Sequence, residues 1–237
     1  MKGAQDIFVP DAVEPLARAF FGSDVAMAIR MPWEAPDGLW PAEIASLGKP
    51  NEKRLAEFAA GRRALRAAMA ELGVREQAVP QGPDRAPVWP RGLVGSISHT
   101  DTICIAVLAH APRHAALALD IEEDADLPTE ILSEICTRDE RSWLSVQPPE
   151  IRGSLARLIF SAKECAYKLQ YPLTHALLDF DAFQITPDLE TGQFEATLTR
   201  PVGTFPERHR FYGRFAFAAG LVLTGMSLSH RAASGPV

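Results

Sequence analysis

Cysteine is scarce, with only 3 among 237 residues. Cys104, Cys136 and Cys165 are odd in number and share no ligand-like spacing, so neither a disulfide framework nor a zinc site is expected. Long apolar runs are missing too. None approaches the roughly 18–20 residues that a bilayer-crossing helix needs, so no membrane partner is expected. Residues 1–10 lack the basic start and apolar centre of a secretory leader, and the expected setting is cytoplasmic. Positive charge is in deficit: 24 basic against 30 acidic residues leave a net charge of −6. Without a basic field to draw a polyanion, nucleic acid is not expected as a partner. The chain also has no Walker-type phosphate loop and no Gly-x-Ser-x-Gly elbow, so any anionic ligand must be held by local clusters.

What is present is an ordinary supply of apolar residues, 47% against 23% charged, enough for one large domain or two small ones. Residues 11–50, rich in proline and carrying Trp33 and Trp40, read as an irregular, packed N-terminal region. Leu55, Phe58, Leu65, Met69 and Leu72 keep near-helical spacing over 52–72, and Gly73 is a natural stop. Arg54, Arg62 and Arg66 lie mostly off that apolar stripe, as a solvated basic face or as an anion grip. The turn-rich segment 80–87 precedes two strands at 93–98 and 103–109, and a third at 115–122. A second helix is predicted over 150–170, bounded by Pro149 and Pro172, with strands at 180–186, 194–199, 211–217 and 221–228. Helix followed by strands thus occurs twice. The fold class is α+β, with two similar halves dividing at about residue 112.

Two acidic stretches carry the chemistry. Asp120 and Glu122 are i and i+2 on a strand and share a face. On the second helix Arg157, Ser161, Glu164 and Lys168 follow a 4-3-4 spacing and form one stripe. Three carboxylates and a lysine converging on one point suit a hard divalent cation such as Mg²⁺ and a phosphate-bearing substrate. Read singly, the same residues are a solvated strand end and a surface ion pair. Ser96-Ile97-Ser98-His99 closes a strand, where hydroxyl and imidazole groups can meet phosphate.

In order, Glu57-Phe58-Ala59-Ala60-Gly61-Arg62, Pro87-Val88-Trp89-Pro90, Gly95-Ser96-Ile97-Ser98-His99, Asp120-Ile121-Glu122 and Phe160-Ser161-Ala162-Lys163-Glu164-x-x-x-Lys168 resemble the 4′-phosphopantetheinyl transferases. Tyr171-Pro172 suits the branch that contains the enterobactin synthetase component. The resemblance spans roughly residues 40–185. It implies a pseudo-dimer of two α+β halves, 1–112 and 113–237, with the active site in the cleft between them. It also implies transfer of phosphopantetheine from coenzyme A to a serine of an apo acyl or peptidyl carrier protein, releasing adenosine 3′,5′-bisphosphate.

Carried over by position, Asp120, Glu122 and Glu164 hold Mg²⁺, Glu164 is the base and Lys168 meets the departing phosphate. Arg54, Arg62, Ser98 and His99 grip coenzyme phosphates, Arg85 reaches the 3′-phosphate region, and Lys163 belongs to the coenzyme motif. Gln81 stands where some relatives carry Lys, which shifts coenzyme binding toward Arg62 and Arg85. Carrier docking is expected on a local basic patch drawn from Arg157, Arg208, Arg210 and Arg214, and the chain is expected to be a monomer. Two other readings are a non-catalytic coenzyme A binding module and a Mg²⁺-dependent phosphoesterase.

Overall fold

Alternation along two strands explains how the layers stack. The structure, a computed structural model, describes residues 9–230, so of the stretch read as lacking a leader 1–8 lie outside the described residues. Strands β1 (Ala26–Arg30), β2 (Leu93–His99) and β3 (Cys104–His110) form an antiparallel sheet in the order β1-β3-β2. One face of β3 sends Ala106 and Leu108 against Leu65, Ala68 and Met69 of helix α3 (Glu52–Glu71). The opposite face sends Ile105 and Val107 against Leu117, Leu119 and Ile121 of β4 (His114–Glu123). Buried on both faces, β3 is apolar almost throughout, whereas β4 ends in Asp120 and Glu122.

Helix α3 ends as Gly73 predicts. Gly73 has φ of 68°, and the Val74 N–H donates to Met69 O at 2.9 Å while Gly73 N–H donates to Ala70 O. That is the left-handed closure for which glycine carries no Cβ penalty. At the other end the Asn51 side chain accepts from Arg54 N–H at 2.8 Å.

Strand β4 opens the second antiparallel sheet, with β5 (Phe183–Asp188), β6 (Gln193–Leu198), β7 (Arg210–Ala218) and β8 (Leu221–Ser229), in the order β4-β8-β7-β6-β5. Helix α6 (Pro149–Thr174) covers its far face, burying Leu155, Leu158, Ala162, Ala166 and Leu169 with Ala116 and Ala118 of β4. By parity Asp120 and Glu122 point the same way as those alanines, toward α6. No hydrogen-bonded ladder joins the sheets among the described residues, although β2 runs alongside β4. Serine hydroxyls bridge the gap: Ser96 Oγ donates to Leu119 O, and Ile121 N–H donates to Ser98 Oγ, each at 3.3 Å.

The N-terminal region differs from the irregular segment expected of 11–50. It contains helix α1 (Val9–Arg18), strand β1 and helix α2 (Pro41–Leu47). Val13 and Ala17 bury α1 against the inter-sheet core, a tertiary contact that local proline content does not reveal. Helix α6 passes Pro172, its predicted stop, and ends at Thr174, capped by His175, whose left-handed φ of 53° closes the last turn. Residues 180–182 form a 3₁₀ turn rather than the start of a strand. Between β4 and α6 lie α4 (Thr129–Ile135) and α5 (Arg138–Ser145). A reciprocal Thr137–Glu140 capping box starts α5.

Candidate active site

The acidic centre is built by β4 meeting α6. Asp120 is 2% exposed. Its Oδ1 accepts from Lys168 Nζ at 2.6 Å and from Ser98 Oγ at 2.9 Å, and its Oδ2 accepts from Ser161 Oγ at 2.8 Å. Lys168 Nζ also donates to Ser98 Oγ at 3.1 Å. Thr224 of β8 backs the group by donating to Ser161 O at 3.1 Å. Burial alone acts to lower the Lys168 pKa, but the neighbouring Asp120 carboxylate outweighs it and raises the value, so the side chain is an ammonium. The stripe 157-161-164-168 therefore faces the acidic strand end as its spacing predicts.

Glu122 lies 3.4 Å from Arg157 Nη1. Burial first, and the like charge of Asp120 second, push its pKa up to about 7, against the pull of Arg157 and Lys168. The Glu164 carboxyl has no hydrogen bond or ion pair among the described residues. Its pKa is also raised, first by burial, with Lys168 opposing and Asp120 adding. Such a shift moves a carboxyl toward the range where it can take a proton near neutrality.

Among the described residues no three His, Cys, Asp or Glu side chains stand as a ready ligand cluster. Asp120 is engaged by Lys168, and Glu122 by Arg157. The donor set nonetheless suits a hard cation. It is all oxygen, and Glu122 sits in the repulsive field of both Asp120 and Glu164.

Beside this centre a cavity of about 630 Å³ opens between α3, segment 81–89, β2 and α6. Lys168 reaches its wall and so links the acidic centre to the open space. Arg62 also lines it and is only 5% exposed. Its Nε donates to Val79 O at 2.6 Å, and its guanidinium lies over the Phe58 ring, 3.7 Å from the centroid. Burial lowers its pKa to about 10, which leaves it cationic at neutral pH. Arg66 is buried as well, paired with Glu43 at 3.1 Å, so these two arginines do not form a solvated face.

Arg54 Nη1 lies 3.4 Å from His99 Nε2, and Glu57 is 3.8 Å from each. Burial, with Arg54 adding and Glu57 opposing, holds His99 below its usual value. Arg85 lines the cavity with a left-handed φ of 67°. Tyr171 Oη donates to Asp84 Oδ2 at 2.5 Å, tying the loop to α6.

The structure puts two expected coenzyme contacts elsewhere. Lys163 is 1% exposed, and its Nζ pairs with Glu140 at 2.8 Å while donating to Ile135 O and Phe180 O at 2.8 and 2.9 Å. Three N–H groups meet three oxygens, so this lysine holds the 135–140 segment and the 3₁₀ turn to α6. Ser98 is buried among Asp120, Lys168 and Ile121 and positions the acidic centre. Of the arginines expected to dock a carrier, Arg157 turns to Glu122 and Arg210 pairs with Glu195 at 3.3 Å. Arg208 and Arg214 are exposed, and Arg214 stands on β7.

Sequence reasoning missed Glu57, Ser161 as an Asp120 donor, and Thr224. It also missed the state of Gln81, whose Oε1 is buried and accepts no hydrogen bond among the described residues. A buried acceptor left so costs about 1–3 kcal/mol.

With the geometry in place, similarity to known proteins is informative. Residues 40–109 match the family model described as the 4′-phosphopantetheinyl transferase N-terminal domain. Residues 116–220 match the 4′-phosphopantetheinyl transferase superfamily. The chain is 37% identical over 205 residues to the 4′-phosphopantetheinyl transferase Svp of Streptomyces mobaraensis, covering 83% of this chain and 82% of that one. It is 36% identical over 197 residues to Npt, the corresponding transferase of Nocardia iowensis, covering 79% and 88%. Enterobactin synthase component D of Salmonella typhimurium is 40% identical over 137 residues, covering 56% and 55%. The chain belongs to the 4′-phosphopantetheinyl transferase family.

Proposed function

We propose that this protein moves the 4′-phosphopantetheine group of coenzyme A onto a serine of an apo acyl or peptidyl carrier protein. The observation that carries this reading is Lys168, paired to Asp120 at 2.6 Å on one side and lining the cavity on the other. A cavity with Arg54, Arg62 and His99 on its walls suits a polyphosphate ligand, and Lys168 is where that ligand meets the acidic centre. We place the active site there, between the two sheets and their helices. A first sheet whose last strand ends at His110 and a second that starts at His114 support a division into halves at about residue 112.

Asp120, Glu122 and Glu164 are the residues that would hold Mg²⁺. When bound, the ion supplies charge neutralisation on the pyrophosphate. Glu164, with its raised pKa, accepts the carrier serine proton as Oγ attacks the phosphorus bearing pantetheine. The bond from that phosphorus to the bridging oxygen breaks, and adenosine 3′,5′-bisphosphate leaves. Lys168 stabilises the charge on the leaving oxygen or gives it a proton. Arg54, Arg62 and His99 hold phosphates throughout, with Arg85 toward the 3′-phosphate.

A monomer is the expected working form. Three buried free thiols suit the reducing cytoplasm. Siderophore or other secondary-metabolite carriers are the expected partners, in keeping with the enterobactin synthase relative. Intact-mass spectrometry of an apo-carrier incubated with the protein, coenzyme A and Mg²⁺ tests the reading. A gain of one phosphopantetheine, abolished by chelation and by Asp120→Ala, is expected. Coenzyme A binding without any gain across several carriers would favour the binding-module reading, and coenzyme turnover without a carrier the phosphoesterase.

A further inference from the structure

The cavity wall opposite α6 carries a polar group with no partner among the described residues. Gln81 is held firmly by its backbone: its N–H donates to Ser46 Oγ at 3.1 Å, and it forms an isolated β-bridge with Pro87. Two residues earlier, Val79 O takes the Arg62 Nε–H at 2.6 Å, so Gln81 stands next to the buried phosphate-binding cation. Its side chain lines the same cavity, yet its oxygen is buried and accepts nothing. A fixed backbone with an uncommitted amide head is what a site shows when the missing partner comes from the ligand.

The chemistry of that partner is restricted. A phosphate at neutral pH presents acceptors only, so it answers just the N–H half of an amide head, whichever way that head is turned. A partner that satisfies the whole head must present a donor beside an acceptor. A donor next to an acceptor on one planar edge is the pattern of adenine, whose exocyclic amino group flanks a ring nitrogen and pairs with a glutamine amide through two hydrogen bonds. Pro83, Pro87 and Val88 on the same loop supply apolar surface for a flat base. We propose that Gln81 reads the adenine edge of coenzyme A and so sets nucleobase selectivity. This rests on the coenzyme reading above and sharpens it, because the neutral amide that gives up a phosphate contact gains a base contact.

The test is calorimetric binding of coenzyme A and of its hypoxanthine analogue, in which an oxo group replaces the adenine amino group. The unmodified protein is expected to favour coenzyme A by about tenfold, the effect of one lost hydrogen bond plus a mismatched edge. In Gln81→Met, similar in length but unable to hydrogen-bond, the preference should fall below about twofold through weaker binding of coenzyme A. Binding of both ligands within twofold by the unmodified protein overturns the inference without recourse to any variant. So does an undiminished preference in a folded Gln81→Met, which would assign the donor to another group. If coenzyme A itself does not bind, the coenzyme reading fails, and a nucleobase role for Gln81 falls with it.

Discussion

Two lysines five residues apart on α6 look alike in the sequence and do different work. Lys163 and Lys168 each meet a carboxylate, Glu140 at 2.8 Å and Asp120 at 2.6 Å. The Lys163 side chain is 1% exposed and its remaining donors end on two backbone carbonyls. The Lys168 side chain is 26% exposed, shares Ser98 with its carboxylate and borders the cavity. An ammonium whose donors all end inside the protein is a fastener. One with a face on open space can still act on a ligand.

The sharpest way to break the comparison is to remove each group in turn. Glu164→Gln should lose about 10²–10⁴-fold in kcat, the span of a general base, with Tm nearly unchanged. A near-normal kcat would take Glu164 out of its assigned role. Lys168→Met should cost a similar factor in kcat while lowering Tm less than Lys163→Met does. If instead the Lys168 variant unfolds first, the distinction between the two lysines collapses.

Lys163→Met leaves Glu140 buried and unpaired, and a cost of about 3–5 kcal/mol in chemical denaturation is expected. Adding Glu140→Gln removes the uncompensated charge but keeps an acceptor for Ile185 N–H, and should recover a large part of that loss. Activity per folded molecule should stay unchanged in both variants. Arg62→Met tests the cavity side of the comparison. Loss of charge-assisted contacts worth about 1.5–3 kcal/mol should raise the coenzyme A Kd by about tenfold or more, with less effect on kcat.

The last test is of pH. Because the folded state lifts Glu122 from 4.5 to about 7, the folded protein keeps a proton that the unfolded chain has lost in that window. Stability in chelator should therefore fall as pH rises from about 4.5 to 7 and level off above it. Glu122→Gln should flatten that slope; an unchanged profile would mean another group is responsible.

Much of the acidic centre was legible because it obeys short-range periodicity. Asp120 and Glu122 share a strand face, and the 4-3-4 stripe of α6 delivers Ser161 and Lys168 to it. Helix α3 and its glycine stop were legible for the same reason. What could not be read depends on partners far along the chain. Arg66 is buried because Glu43 meets it, and Lys163 because Glu140 does. The proline-rich N-terminal region conceals two helices and a strand, of which α1 is buried against the inter-sheet core and β1 is paired with β3. Gln81 differs again, since no local pattern tells whether an amide will find a partner.

The hydroxyls of Ser96 and Ser98 have a consequence for inheritance. Strands joined by a backbone ladder stay joined under almost any substitution, because every residue but proline supplies the same donor and acceptor. Here β2 is fastened to β4 by side chains, and one of them also orders Asp120 and Lys168. The polar coupling between the two sheets thus rests on individual side chains. A change from serine to alanine can loosen it, while elsewhere each sheet keeps its own ladder.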